Sequence, residues 1–132
     1  MPIFKLNALI IAERILSFHL MPSPRILYVG HDLNLLKFMQ DELKDCRVVR
    51  CTGGITSRSF IKSEINYALF VFDEEMPEMS GQVLTAFARG LAHREDTPVV
   101  IFKPSDDFSE IVKTIIRSLG GVRNDGLVEE FR

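Results

Sequence analysis

The stretch that organises this chain reads YALFVFDEEMPEMSG and covers residues 67–81. Its first half is an uninterrupted apolar run of the length typical of a buried parallel strand. Asp73 follows this run directly, so a rigid element would hold its carboxylate at the rim of a sheet. An aspartate there can simply cap a turn, but Pro77 and Gly81 stand four and eight positions after it. This loop pattern makes Asp73 the leading candidate for chemistry.

On both sides of this stretch, short apolar strands alternate with amphipathic helices. Strands are predicted at residues 26–29, 47–51, 68–72 and 97–102, and helices after Asp32, at 56–64, at 81–92 and from 105 to 119. Such alternation predicts a parallel sheet covered by helices on both faces. In these sheets the functional site lies beyond the C-terminal ends of the strands. That rule selects residues 30–32, Asp73 and Lys103.

Composition and charge limit the class of protein. The chain has 132 residues, of which 46% are hydrophobic and 26% charged, as expected of one globular domain. Its net charge of −2 predicts no general attraction to nucleic acid or to an anionic membrane. The only cysteines, Cys46 and Cys51, do not have the spacing of a metal or redox site. A cytoplasmic protein without a transmembrane segment is expected.

Three regions are distinguished along the chain. Residues 1–24 are predicted to form an N-terminal extension with an amphipathic helix, since five apolar residues recur at roughly helical spacing before two prolines. These residues are Leu6, Leu9, Ile10, Ile15 and Leu16, followed by Pro22 and Pro24. Residues 25–121 carry the alternating α/β pattern. Residues 122–132 form a polar tail in which we find no clear period.

The segment that follows Asp73 resembles the phosphorylation loop of bacterial response-regulator receiver domains, whose familiar form is D-x-x-M-P-x-M-x-G. The likeness covers about residues 25–119 and includes the Lys103-Pro104 pair. It implies a flavodoxin-like (CheY-like) doubly wound parallel sheet, here with an extra N-terminal helix. It also implies phosphorelay signal transduction, in which Asp73 accepts a phosphoryl group from a histidine kinase. Such a domain signals by protein–protein contact and is not an enzyme in the usual sense.

The resemblance further implies a Mg²⁺ ion, because charge on a transferring phosphoryl group must be matched by positive charge. Its expected ligands are Asp73, the backbone carbonyl of Glu75, and acidic residues after the first strand. Here Gly30-His31 replaces the expected acidic pair, and Asp32 remains one position further along. Asp32 can bind the metal or cap the following helix, and we favour the cap. A lost carboxylate weakens a Mg²⁺ site.

Lys103 follows Asp73 by 30 residues, which is short for a receiver domain. Either the strand before Lys103 is the fourth strand, or one helix–strand unit is deleted and this strand corresponds to the fifth. The long final helix, followed by a tail with no second Lys-Pro pair, favours deletion. Both alternatives place Lys103 at the rim, where it would pair with Asp73 and later with a phosphoryl oxygen. A deletion would expose an apolar groove that the N-terminal helix could cover, in the same chain or in a homodimer.

Three functions remain open from the sequence. The first is a receiver that takes phosphate from a histidine kinase or phosphotransfer protein and passes the signal to a downstream protein target. The second is a degenerate receiver that acts as a phosphorylation-independent interaction module, favoured by Gly30-His31. The third is an unrelated flavodoxin-like enzyme or ligand binder. This last class needs a second catalytic group or a phosphate-binding glycine loop, and we find neither.

Overall fold

The computed structural model describes residues 23–120 and the backbone of Val128–Glu130. The helix predicted in residues 1–20 and most of the tail 122–132 lie outside the described residues. The strands are β1 (Arg25–Val29), β2 (Arg47–Cys51), β3 (Tyr67–Asp73), β4 (Val99–Phe102) and β5 (Val128–Glu130). The helices are α1 (Leu33–Glu42), α2 (Gly54–Lys62), α3 (Gly81–Arg89) and α4 (Phe108–Leu119), with a 3₁₀ turn at Ala92–Arg94. None of these described helices is long and apolar enough to cross a membrane.

All strand pairs are parallel, and the sheet has the order β2-β1-β3-β4-β5. The central strand β3 is therefore flanked by β1 and β4. Its residues 68–72 are all apolar, and Asp73 follows them as the last residue of the strand. Helices cover both faces of this sheet. The predicted flavodoxin-like doubly wound fold is thus confirmed for the described residues.

The two faces of the sheet have separate apolar cores. The face covered by α1 and α4 buries alternate strand residues together with Leu35, Met39, Ile111, Val112 and Ile115. The face covered by α2 and α3 buries the other alternate set together with Ile61, Leu84 and Ala88. This alternation follows from the period of two along a strand. It explains why β3 reads as a continuous apolar run, since both of its faces are buried.

The strand order decides between the two alternatives for the strand before Lys103. β4 pairs with β3 on one side and with β5 on the other, so it is the fourth strand. The favoured alternative, in which a helix–strand unit is deleted before Lys103, therefore does not describe this sheet. No strand was predicted in the polar tail, in which no clear period was found, whereas Val128–Glu130 form β5. Within the described residues, five strands are accompanied by four α-helices.

The helix ends follow local chemistry. Asp32, Ser80 and Asp107 each cap a helix, with side-chain oxygens that accept hydrogen bonds from backbone N–H groups of the first turn. The helix predicted over residues 81–92 ends earlier, because Gly90 caps α3 after Arg89. Residues 92–94 then form the separate 3₁₀ turn.

One buried cation holds the end of α2 in place. Arg94 is only 3% exposed, and its guanidinium donates hydrogen bonds to the carbonyl oxygens of Ile61, Ser63 and Ile65 at 2.9, 2.8 and 2.6 Å. The same group lies over the ring of Tyr67, with 5.1 Å between Cζ and the ring centroid. Arg94 thus satisfies carbonyls that the end of a helix leaves without intrahelical partners.

Candidate functional site

Asp73 lies at the C-terminal end of β3, where its backbone pairs with Phe102 of β4. Its side chain is 7% exposed. The carboxylate oxygen Oδ1 accepts a hydrogen bond of 2.9 Å from the backbone N–H of Glu75. The next backbone group, the N–H of Glu74, donates to the carbonyl of Phe102 at 2.8 Å. The strand therefore presents one carboxylate at its rim, as the sequence predicted.

Burial raises the pKa of Asp73 above its usual value, because desolvation disfavours the charged carboxylate. The hydrogen bond from Glu75 N–H and the charge of His31 act in the opposite direction. The negative charges of Glu75 and Asp32 raise the pKa further. The site therefore gathers two further carboxylates, those of Glu75 and Asp32, and the imidazole of His31 around the partly desolvated Asp73.

This raised pKa predicts a pH-dependent effect of Asp73→Asn on stability. A group whose pKa is higher in the folded state stabilises the fold when protonated, and that contribution is lost as pH rises through the folded pKa. Asp73→Asn, which cannot ionise, is therefore expected to be more stable than the parent at pH 7. The difference in melting temperature should shrink as pH is lowered through the pKa of Asp73. Thermal unfolding of both proteins between pH 7 and pH 4 checks this, and a parent that is the more stable at pH 7 would contradict it.

Gly30 lies one residue beyond the paired residues Val29 and Phe72, and so on the β1 side of Asp73. A Cβ atom at position 30 would lie 2.5 Å from Oη of Tyr28 and 2.6 and 2.7 Å from two of its ring carbons. Tyr28 is fully buried, and its ring packs beside that of Phe102 with 5.9 Å between centroids. The tyrosine ring therefore occupies the space that any side chain at position 30 would need.

The Tyr28 hydroxyl is tied into the start of α1. It accepts a hydrogen bond of 3.1 Å from the backbone N–H of Asp32. Burial is the main reason that the pKa of Tyr28 is raised to about 12, and the nearby charges of Asp32 and Asp73 raise it too. The hydroxyl is accordingly a neutral group in this site at ordinary pH.

Asp32 serves as the helix cap that the sequence analysis favoured. Its Oδ1 accepts hydrogen bonds of 3.0 Å from the backbone N–H groups of both Asn34 and Leu35. Across the same rim, Nε of Arg50 donates to the carbonyl oxygen of Gly30 at 3.0 Å. The guanidinium of Arg50, on β2, therefore lies beside position 30, where the resemblance implies an acidic residue.

Lys103 directly follows Phe102 and therefore begins the loop next to Asp73. Its backbone N–H donates to Oδ2 of Asp106 at 2.7 Å, and its carbonyl accepts from the N–H of Asp106 at 2.9 Å. The side chain is exposed. Within residues 23–120 no ion pair joins Lys103 to Asp73, and Lys103 is not among the charges that shift the pKa of Asp73. The structure brings their backbones together but not their charged groups.

The loop after Asp73 is attached to the α2 side of the sheet. Met76 is buried in the core beneath α2 and α3. Oε2 of Glu78 accepts a hydrogen bond of 2.6 Å from the N–H of Gly54, the first residue of α2. Gly81 begins α3 so close to the strand that a Cβ there would lie 3.2 Å from the carbonyl oxygen of Asp73. The spacing of the motif thus fits a loop packed tightly on both sides.

A Mg²⁺ ion at this rim would need several oxygen ligands. The expected ligands are Asp73, Asp32 and the carbonyl of Glu75, but Oδ1 of Asp32 is used as a helix cap and the Tyr28 ring excludes a carboxylate at position 30. Among the described residues no group of three His, Cys, Asp or Glu side chains is arranged to hold a metal. This donor set lacks one carboxylate of the expected Mg²⁺ site, so a Mg²⁺ ion there would depend more on water ligands and bind less tightly.

The roles of Tyr28, Arg50 and Glu78 were not predicted from the sequence. The signal for Tyr28 was available, because residues 28 and 30 share a face of a strand and a glycine leaves room for a large neighbour. Arg50 and Glu78 carried no such signal. Their partners, Gly30 and Gly54, lie 20 and 24 residues away along the chain.

Several solved structures with a similar fold are receiver domains. The receiver domain of a sensor histidine kinase from Pseudomonas aeruginosa PAO1, whose active-site cleft coordinates magnesium, matches with a TM-score of 0.64 at 15% identity, covering 75% of this chain and 99% of that one. The receiver domain of a histidine kinase from Syntrophus aciditrophicus gives 0.64 at 18% identity, covering 75% and 92%. A receiver protein from Pseudomonas putida gives 0.55 at 21% identity, covering 83% and 88%.

No protein-family model and no curated protein matches the sequence. The likeness to solved structures therefore concerns architecture, and at these identities it establishes the fold alone. The sheet order, the acid at the end of β3 and the packed loop after it all agree with that likeness. The chain has the fold of a response-regulator receiver domain.

Proposed function

We propose that this chain is a degenerate receiver domain that takes part in phosphorelay signalling by protein–protein contact, without metal-dependent phosphorylation of Asp73. Its fold neighbours are receiver domains of histidine kinases and response regulators. The partners we expect are a histidine kinase or phosphotransfer protein and a downstream protein target. We also expect a cytoplasmic location and no catalytic turnover.

The observation that carries this proposal is the Tyr28 ring beside Gly30. It fills the space of the first acid of the metal-binding pair, and a Cβ at position 30 would meet its hydroxyl at 2.5 Å. The neighbouring acid, Asp32, is committed to the N-terminus of α1 through two hydrogen bonds. Phosphoryl transfer needs fixed positive charge on the phosphoryl oxygens. Among the described residues, the positive groups at this rim are His31, whose charge acts on Asp73, and Arg50, which donates to the carbonyl of Gly30.

A second candidate function is phosphoryl acceptance on Asp73, which the placement of this acid at the rim of the sheet favours. In that reaction a carboxylate oxygen of Asp73 bonds to phosphorus as the bond from phosphorus to the donor's nitrogen or oxygen breaks. The leaving group then carries the released electron pair. The reaction requires the carboxylate form, which burial of Asp73 disfavours.

Intact mass after incubation with acetyl phosphate and Mg²⁺ separates the two candidates. The parent chain is expected to gain no phosphoryl group, and Asp73→Asn is the matched control for transfer to other residues. Repeating the incubation with phosphoramidate, a donor with a nitrogen leaving group, covers the chemistry of a phosphohistidine.

A gain of one phosphoryl group by the parent but not by Asp73→Asn would overturn the proposal and establish the second candidate. A Mg²⁺-dependent rate in that result would further show that two carboxylates suffice to hold the metal. No gain with either donor, in a protein with a cooperative melting transition, is the result expected of a degenerate receiver.

A further inference from the structure

An apolar groove lies at the N-terminal ends of the strands β1 and β3, whereas Asp73 lies at the C-terminal end of β3. It is a cavity of about 490 Å³ between the C-terminal ends of α1 and α4. We call it the foot groove; its apolar lining comprises Pro24, Leu43, Cys46, Ala68, Ile116 and Leu119. Ile116 is 53% exposed although it belongs to the strongly amphipathic helix α4. Apolar surface of this kind usually marks a binding site.

The described chain begins in this groove. Pro24 lines it, and the carbonyl oxygen of Pro24 accepts a hydrogen bond of 2.8 Å from the N–H of Arg47, which fixes where the preceding residues leave the domain. Residues 1–22 therefore attach directly to the edge of the groove. A tethered segment has an effective concentration in the millimolar range, which favours it over a free partner.

The segment that precedes Pro24 has the complementary chemistry. Its predicted helix carries the apolar stripe of Leu6, Leu9, Ile10, Ile15 and Leu16. Only seven residues, 17–23, lie between Leu16 and Pro24. Extended chain covers up to ~3.3–3.6 Å per residue, so this connection is long enough to turn back and reach every part of the groove.

We infer that the apolar stripe in residues 6–16 docks into the foot groove of the same chain and covers Ile116 and Cys46. The interaction buries an otherwise exposed apolar face on the edge of the domain away from Asp73. It is independent of phosphorylation, so its failure in an experiment would leave the proposed function untouched.

The accessibility of the Cys46 thiol measures whether the foot groove is covered. It is partly exposed within the groove, whereas the second thiol, Cys51, is buried. Iodoacetamide labelling of the full chain, read by peptide mass, therefore measures how accessible the groove is. Labelling of Cys51 reports unfolding in the same sample.

Two pairs of variants of the full chain test the inference. Leu9→Asp places a charge in the stripe, and Asn7→Asp places the same charge outside it. Ile116→Asp disrupts the groove, and Val83→Asp is its control, because Val83 is equally exposed at 52% on α3 at the other face of the sheet.

Leu9→Asp and Ile116→Asp are each expected to speed labelling of Cys46 roughly tenfold, the equivalent of ~1.4 kcal/mol of docking free energy. The controls should remain within about twofold of the parent, since they leave both apolar surfaces intact.

Equal labelling rates in the parent and all four variants would overturn the inference. Protection of Cys46 that falls on dilution of the protein would also overturn it, because a second copy would then cover the groove. Protection that is independent of concentration, and lost only in Leu9→Asp and Ile116→Asp, is the result expected of docking within one chain.

Discussion

Replacing Arg94 with methionine is expected to lower the free energy of unfolding by about 3 kcal/mol or more, since three carbonyl oxygens, one buried and two partly buried, lose charged donors at once. Those carbonyls belong to Ile61, Ser63 and Ile65, and the side chain that serves them is almost fully buried. Methionine fills part of the same space but donates no hydrogen bond. Urea unfolding at pH 7, followed by far-ultraviolet circular dichroism, measures the loss.

Two further variants make the Arg94 experiment specific. Arg58→Met removes an arginine from the exposed surface of α2 and is expected to change stability by no more than about 0.5 kcal/mol. Arg94→Lys retains the charge but not the planar fork that reaches several carbonyls, so an intermediate loss is expected. If Arg94→Met were as stable as Arg58→Met, the hydrogen bonds of Arg94 would have no net role in stability.

The second large effect concerns Gly30→Asp, which restores a carboxylate where the Tyr28 ring lies. Alone, this substitution is expected to lower the free energy of unfolding by about 1–3 kcal/mol, because overpacking forces buried groups apart. The clash is with a fully buried ring rather than with the free end of a flexible side chain. Chemical denaturation of the variant and the parent measures this difference.

Combining Gly30→Asp with Tyr28→Val should remove the clash. Because the two positions touch, the double variant is expected to be more stable than the sum of the single changes predicts, by about 1–3 kcal/mol. It would also bring a third carboxylate to Asp32 and Asp73, so its melting temperature should rise with added Mg²⁺ while that of the parent does not.

Tyr28→Phe combined with Gly30→Asp is the matched control. It removes the hydroxyl but keeps the ring carbons that would lie 2.6 and 2.7 Å from the new Cβ. This control should therefore show neither the relief of the clash nor the response to Mg²⁺. Stabilisation of the parent itself by Mg²⁺ would argue against the view that Tyr28 blocks the metal site.

The sequence predicted most of the fold because its strands are continuous apolar runs and its helices have polar caps. β1, β2 and β3 were placed within one residue of their observed ends, and Asp32 was recognised as a cap. β5 was missed because Val128–Glu130 is short and two of its three residues are acidic, so no apolar run marks it. Its place in the sheet depends on pairing with β4, which a local pattern does not contain.

The candidate site was predicted less completely than the fold. Asp73 was found from its position after an apolar strand, and its carboxylate does lie at the rim. The pairing of Lys103 with Asp73 was predicted from its place at the rim and from the proline and apolar run beside it, and it stays a prediction; the backbone of Lys103 hydrogen-bonds with Asp106 in its own loop. Contacts such as Tyr28 over Gly30 depend on side-chain direction and volume, which the strand pattern does not fix.

The two ends of α2 are held by side chains that lie outside it. The carboxylate of Glu78 binds the N–H at its first residue, and the guanidinium of Arg94 binds carbonyls at and beyond its last turn. An acid at the start and a base at the end match the helix dipole. The helix has no side-chain cap of its own, and its partners are 24 to 33 residues away. Stabilisation of α2 therefore depends on non-local contacts, and we expect these to form only when the chain as far as Arg94 has reached its native course.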